Sequence, residues 1–65
     1  MIKREHQTVG NSQYVKYQIG EIIRWPKNGT NLLKAVILED RGHNWLVVDR
    51  FNKEHLAWKG CVQSL

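Results

Sequence analysis

The chain has too little cysteine to staple itself. Cys61 is the only cysteine in 65 residues, so no internal disulfide can form, and no Cys/His grid suggests structural zinc. Apolar runs are short. None approaches the roughly 18 residues that a membrane helix needs, and no basic-then-apolar leader opens the chain. The expectation is a protein that is neither exported nor membrane-associated, in a cytoplasmic setting that keeps Cys61 reduced. Apolar residues nowhere recur at 3.6 spacing for three turns, so no helix longer than one turn is expected. The five glycines, Gly10, Gly20, Gly29, Gly42 and Gly60, stand apart from one another and form no phosphate-cradling loop, and no cofactor is implied. A chain this short buries only about 60% of the surface it exposes when unfolded. Its stability must come from compact packing or from a partner subunit, which leaves a homo-oligomer open.

What the chain does have is strand-forming sequence. Leu33 to Phe51 contains two apolar runs, Lys34 to Glu39 and Trp45 to Phe51, around Asp40-Arg41-Gly42-His43-Asn44. Turn formers between β-branched and aromatic runs predict a β-hairpin. In the first run Val36 and Leu38 share one face and Ala35 and Ile37 the other. In the second, Trp45, Val47 and Asp49 alternate with Leu46, Val48 and Arg50. Both faces are partly apolar, and that predicts strands bent through a closed or nearly closed barrel.

The flanks supply the remaining strands. Met1 to Gln13 is polar and reads as a flexible arm, with room for a short edge strand at Gln7 to Val9. Tyr14 to Tyr17 fits a strand or an arm. After a bend at Gly20 a strand runs to Trp25, where Pro26 stops it. Lys27 to Asn31 is a loop of turn formers, in which the glycosylation sequon Asn28-Gly29-Thr30 reads as a turn. His55 to Lys59 predicts a fourth strand with Leu56 and Trp58 on one face. Cys61 to Leu65 predicts one helical turn or a closing strand, with Val62 and Leu65 inward. The domain reading is thus an arm over residues 1–13 and an all-β domain of four to five antiparallel strands over 14–65.

Tyr17-Gln18-Ile19-Gly20-Glu21-Ile22-Ile23-Arg24, then Lys34-Ala35-Val36-Ile37-Leu38-Glu39, Trp45-Leu46-Val47-Val48-Asp49 and Leu56-Ala57-Trp58, resemble in order the small SH3-like barrels of the KOW and Tudor kind. In those families a glycine and an acidic residue open the first strand of a meander. The resemblance spans about Tyr14 to Leu65 and implies an SH3-like barrel. The chain departs from the KOW pattern at Leu32-Leu33-Lys34, where a glycine is expected before the second strand. It also lacks the aromatic cluster of a methyl-lysine cage.

For function, catalysis has little to work with. Cys61 and His55 are the one nucleophile–base pair, with no third orienting group, and a lone cysteine reads as a small core residue. His6, His43 and His55 fall at no metal-ligand spacing. No enzyme is expected. Charge is more informative. The chain carries +4 overall, with six Lys/Arg against two acids in residues 1–34 and four against four in residues 35–65. A basic first half favours an anionic partner. Each of the three tryptophans has a cation nearby in sequence: Arg24 and Lys27 beside Trp25, Arg41 near Trp45, Lys59 after Trp58. Aromatic faces beside cations suit nucleic acid, so the expected contact set is Arg24, Trp25, Lys27, Lys34, Arg41 and Lys59. Trp25 is expected to be the most exposed ring and Trp58 core or half-core. The same composition makes protein hot spots. The alternative is a protein–protein interaction module, or a small inhibitor or regulator, that docks on a larger enzyme or complex.

Overall fold

A computed structural model describes residues 4–27 and 31–65. The elements are β1 (His6–Val9), β2 (Ser12–Val15), β3 (Ile22–Pro26), β4 (Leu32–Arg41), β5 (Asn44–Asp49), β6 (Glu54–Trp58) and β7 (Gln63–Ser64). All pairings are antiparallel: β1 and β2 make a hairpin, and the others a five-stranded sheet in the order β6-β5-β4-β3-β7. The fold is all-β, with no helix among the described residues. The sequon Asn28-Gly29-Thr30 lies outside them.

The core follows from period-two alternation. Ile23 and Trp25 from β3, Ala35 and Ile37 from β4, Trp45 and Val47 from β5 and Ala57 from β6 share one buried side of the sheet. Tyr17, Val15 and Val62 pack onto that side. The sheet is strongly curved around this cluster. The rings of Trp25 and His55 lie 5.2 Å apart although β4 and β5 separate their strands, a span of about 14 Å in a flat sheet.

Curvature stops short of closure, so of the closed or nearly closed barrel expected from the sequence the fully closed form is excluded. Strands β6 and β7 are the two edges of the sheet, and they do not pair with each other. The apolar residues of the second face are not covered by a closing strand. Ile22 and Leu56 are exposed, Val36, Leu46 and Val48 half-buried.

The tryptophan ranking is also reversed. Trp25 is 5% exposed and Trp58 53%. Trp25 shares the buried side with Ile23, so turning its ring outward would bring Arg24 into the core. In β6 the register sets Ala57 opposite Trp45, and Trp58 opposite Asn44 on the far face. A small residue facing the largest ring fills the layer, and a one-residue slip would set two indoles against each other. At the C-terminus β7 is the strand alternative: Val62 packs against the core, whereas Leu65 is exposed, contrary to expectation.

The stretch read as an arm carries structure. β1 and β2 pair from His6↔Val15 to Val9↔Ser12, so a boundary after residue 13 cuts through β2. The loop Gly10-Asn11 has its first residue at φ 59°, and Gly42-His43 between β4 and β5 repeats the pattern with φ 73°. A glycine with positive φ at the first of two central residues is the type II′ hairpin device. The two hairpins meet, as Tyr14 Oη of β2 lies 3.0 Å from His43 Nδ1 with the rings edge to face. Arg4 adds a bidentate bridge to Glu21 and lies 5.0 Å over the Tyr17 ring.

A bulge in β4 sets the last feature of the scaffold. Ile37 pairs with Val47 but Glu39 with Leu46, leaving Leu38 as the extra residue. Beyond it the alternation is shifted by one, so Asp40 sits opposite Trp45 on the core side. There its Oδ1 accepts a 2.7 Å bond from Lys59 Nζ, which lies 4.3 Å over the Trp45 ring. The buried ammonium thus has both a carboxylate and an aromatic face.

Candidate functional site

The ends of the sheet differ in how their charges are used. Around the Gly42-His43 turn and the Tyr17–Glu21 segment, Arg4 pairs with Glu21, Arg41 with Glu39 and Lys59 with Asp40. At the opposite end Arg24, Lys27, Lys34, Arg50 and Lys53 make no ion pair among the described residues. Cations held without counter-ions are the chemistry of an anion site.

Three of those cations line a cleft of about 470 Å³. One wall is the β3–β4 end, with Lys27, Leu32, Leu33 and Lys34; the other is the β5–β6 turn, with Asp49, Arg50 and Phe51. Arg24 stands directly across from Lys34 in the ladder. Like charges at opposed positions are destabilising, a cost that an anionic ligand would reverse. Arg24 Nη2 also donates to the Ser64 carbonyl at 3.3 Å, which ties β7 to this end.

Asp49 builds the second wall. Its Oδ1 accepts from the Phe51 N–H at 2.8 Å and the Lys53 N–H at 3.0 Å, and its Oδ2 lies 2.7 Å from His55 Nε2. The turn passes through Asn52 at φ 64°, a left-handed conformation that asparagine tolerates. Phe51, at the tip, is therefore 68% exposed, with the Arg50 guanidinium 4.9 Å from its ring centre.

The hydrogen bond with His55, followed by that from the Lys53 N–H, holds the Asp49 carboxyl down to about 2, from an ordinary 3.8. The unfolded chain then binds the proton more readily, so Asp49 contributes stability that is present above about pH 4 and lost as pH falls toward 2. Glu21, bonded by Arg4, and Asp40, bonded by Lys59, are held low in the same direction. Urea midpoints measured from pH 6 to pH 2 should therefore fall with acid. Asp49→Asn should start lower at pH 6 and show a shallower fall; a parallel fall in both proteins would assign the acid sensitivity to the other two carboxyls.

Of the residues expected to form the contact set, Arg24, Lys27 and Lys34 come together at the cleft end. Trp25 belongs to the core, packed beneath them against His55. Arg41 is at the far end of the ten-residue β4, about 20 Å from Lys34 at strand spacing. Lys59 is buried. Arg50 and Phe51 were not in the expected set; the signal for them was an aromatic inside a turn sequence, Arg50-Phe51-Asn52-Lys53, where no strand alternation can bury it. His55, the one base considered near Cys61, is instead bonded to Asp49, and no hydrogen bond joins it to Cys61 among the described residues. Among the described residues no group of three or more His, Cys, Asp or Glu side chains gathers as a metal site, and no helix is long and apolar enough to cross a membrane.

No family model, curated protein or solved structure matches the chain.

Proposed function

We propose that the protein is a small, non-enzymatic nucleic-acid-binding domain whose contact surface is the cleft between the β3–β4 end and the β5–β6 turn. The observation that carries this reading is the sorting of charge. Arg4, Arg41 and Lys59 at one end of the sheet are spent on carboxylates, while at the other Lys27, Lys34 and Arg50 line an open cleft, with Arg24 across the ladder from Lys34, and none of these four has an ion-pair partner among the described residues. Lys27, Lys34 and Arg50 hold phosphates, and Arg24 extends the basic row along the sheet. The meander β3-β4-β5-β6 is consistent with an opened relative of the SH3-like barrels, and Cys61 as an unpaired thiol fits a reducing cytoplasm. The test is a fluorescence-anisotropy titration of labelled DNA and RNA at 50–200 mM salt. Affinity should fall steeply with salt; a flat response, or no binding at 50 mM, removes the reading.

A second reading rests on the other face of the sheet. Ile22, Leu56 and Trp58 are 46%, 59% and 53% exposed and share that face with Val36, Leu46 and Val48. Such a patch suits a larger protein partner. With Arg24 and Lys34 at its margin, the matching surface would be apolar with an acidic flank.

A further inference from the structure

Resting on the nucleic-acid reading, we infer that the cleft takes an unpaired base, so that the ligand is single-stranded, with Phe51 as the stacking platform. The walls between the cations are apolar: Leu32 and Leu33 on one side, Phe51 on the other. A duplex turns phosphates and base edges outward and keeps the faces of its bases stacked inside. It could use Lys27, Lys34 and Arg50 but leaves those apolar walls unmatched. A single strand offers both phosphate and a free aromatic face.

The turn is built to present the ring. Backbone N–H groups of Phe51 and Lys53 are fixed by Asp49 Oδ1, so the backbone is ordered while the Phe51 side chain is 68% exposed. Arg50 lies over the ring at 4.9 Å, which leaves the opposite face and the edges for a base and brings a cation to the phosphate beside it. The cleft volume of about 470 Å³ falls within the range of pockets that take one compact organic ligand, the scale of a single nucleotide. Leu32 and Leu33, 42% and 39% exposed, complete the slot.

The experiment compares labelled oligo-dT, oligo-U and a blunt-ended two-strand DNA duplex at 50 mM salt, with the wild-type protein, Phe51→Ala and Phe51→Trp. Both single strands should bind at least about tenfold more tightly than the duplex. Phe51→Ala should weaken single-strand binding by about 5- to 150-fold, the range for loss of one stacked base. The salt slope should stay unchanged, because no charge is removed. Phe51→Trp should retain binding. Circular dichroism melting, expected to be unchanged because the bonds of the turn are backbone to Asp49, separates a binding defect from unfolding. Equal affinity for duplex and single strands, with Phe51→Ala inert and the salt slope steep, overturns the stacking inference and leaves the nucleic-acid reading intact. No binding to any of the three probes overturns the reading beneath it.

Discussion

Replacing Lys27, Lys34 and Arg50 together by alanine should reduce nucleic-acid affinity at 150 mM salt by at least about a hundredfold. The slope of log affinity against log salt should become shallower by about two to three, since each neutralised phosphate contributes about 0.7–0.9. The three side chains line one cleft and carry no ion pair among the described residues, so their removal leaves no carboxylate stranded there. Stability should hold or rise slightly, because Lys34 stands opposite Arg24 and like charges across a ladder repel. Arg41→Ala is the internal control. Arg41 Nε already has Glu39 at 3.0 Å at the other end of β4, so its loss should change affinity less than threefold. If Arg41→Ala and the triple variant weaken binding alike, the protein attracts nucleic acid through net charge alone and the cleft has no special part.

The second large effect concerns the tryptophans. Trp45→Ala should lower stability by about 3–5 kcal/mol, while Trp58→Ala should change it by no more than about 1 kcal/mol. Trp45 is 2% exposed and central to the core, and truncating a buried tryptophan costs about 3–5 kcal/mol. It also carries the Lys59 ammonium over its ring at 4.3 Å, so the truncation strips a buried cation of one of its two partners. A domain of this length holds only about 3–10 kcal/mol in total on a per-residue scale. Trp58 instead lies against Gly60, where an added Cβ would come within 2.6 Å of the indole, and is 53% exposed. Thermal melts followed by circular dichroism decide the matter. Comparable losses in the two variants would contradict the packing described for β5 and β6.

The strands were legible in the sequence because alternation is a local property: Ala35 and Ile37 against Val36, and Trp45 and Val47 against Leu46 and Val48, divide the faces without reference to the rest of the chain. Which face is inside was not. Leu56 and Trp58 were placed together correctly, but their side depends on Ala57 meeting Trp45 across the ladder, a fact of register between strands. Whether the barrel closes was not legible for a related reason. An apolar second face has the same sequence signature whether a barrel covers it or solvent meets it. The candidate site was half legible. Arg24, Lys27 and Lys34 flank one loop and are close for that reason, whereas Arg50 and Phe51 reach the cleft only through the fold-back of β4 on β5. Arg41 and Lys59 were removed from the set by Glu39 and Asp40, the latter turned toward Lys59 by the Leu38 bulge.

The cleft as the nucleic-acid contact surface is tested most directly by a map of amide chemical shifts in the ¹⁵N-labelled protein on titration with a short oligonucleotide. The shifts should concentrate at Lys27, Leu32 to Lys34 and Arg50 to Lys53, with Leu56 and Trp58 still. Shifts centred on Leu56 and Trp58, or none at saturating oligonucleotide, would contradict that assignment.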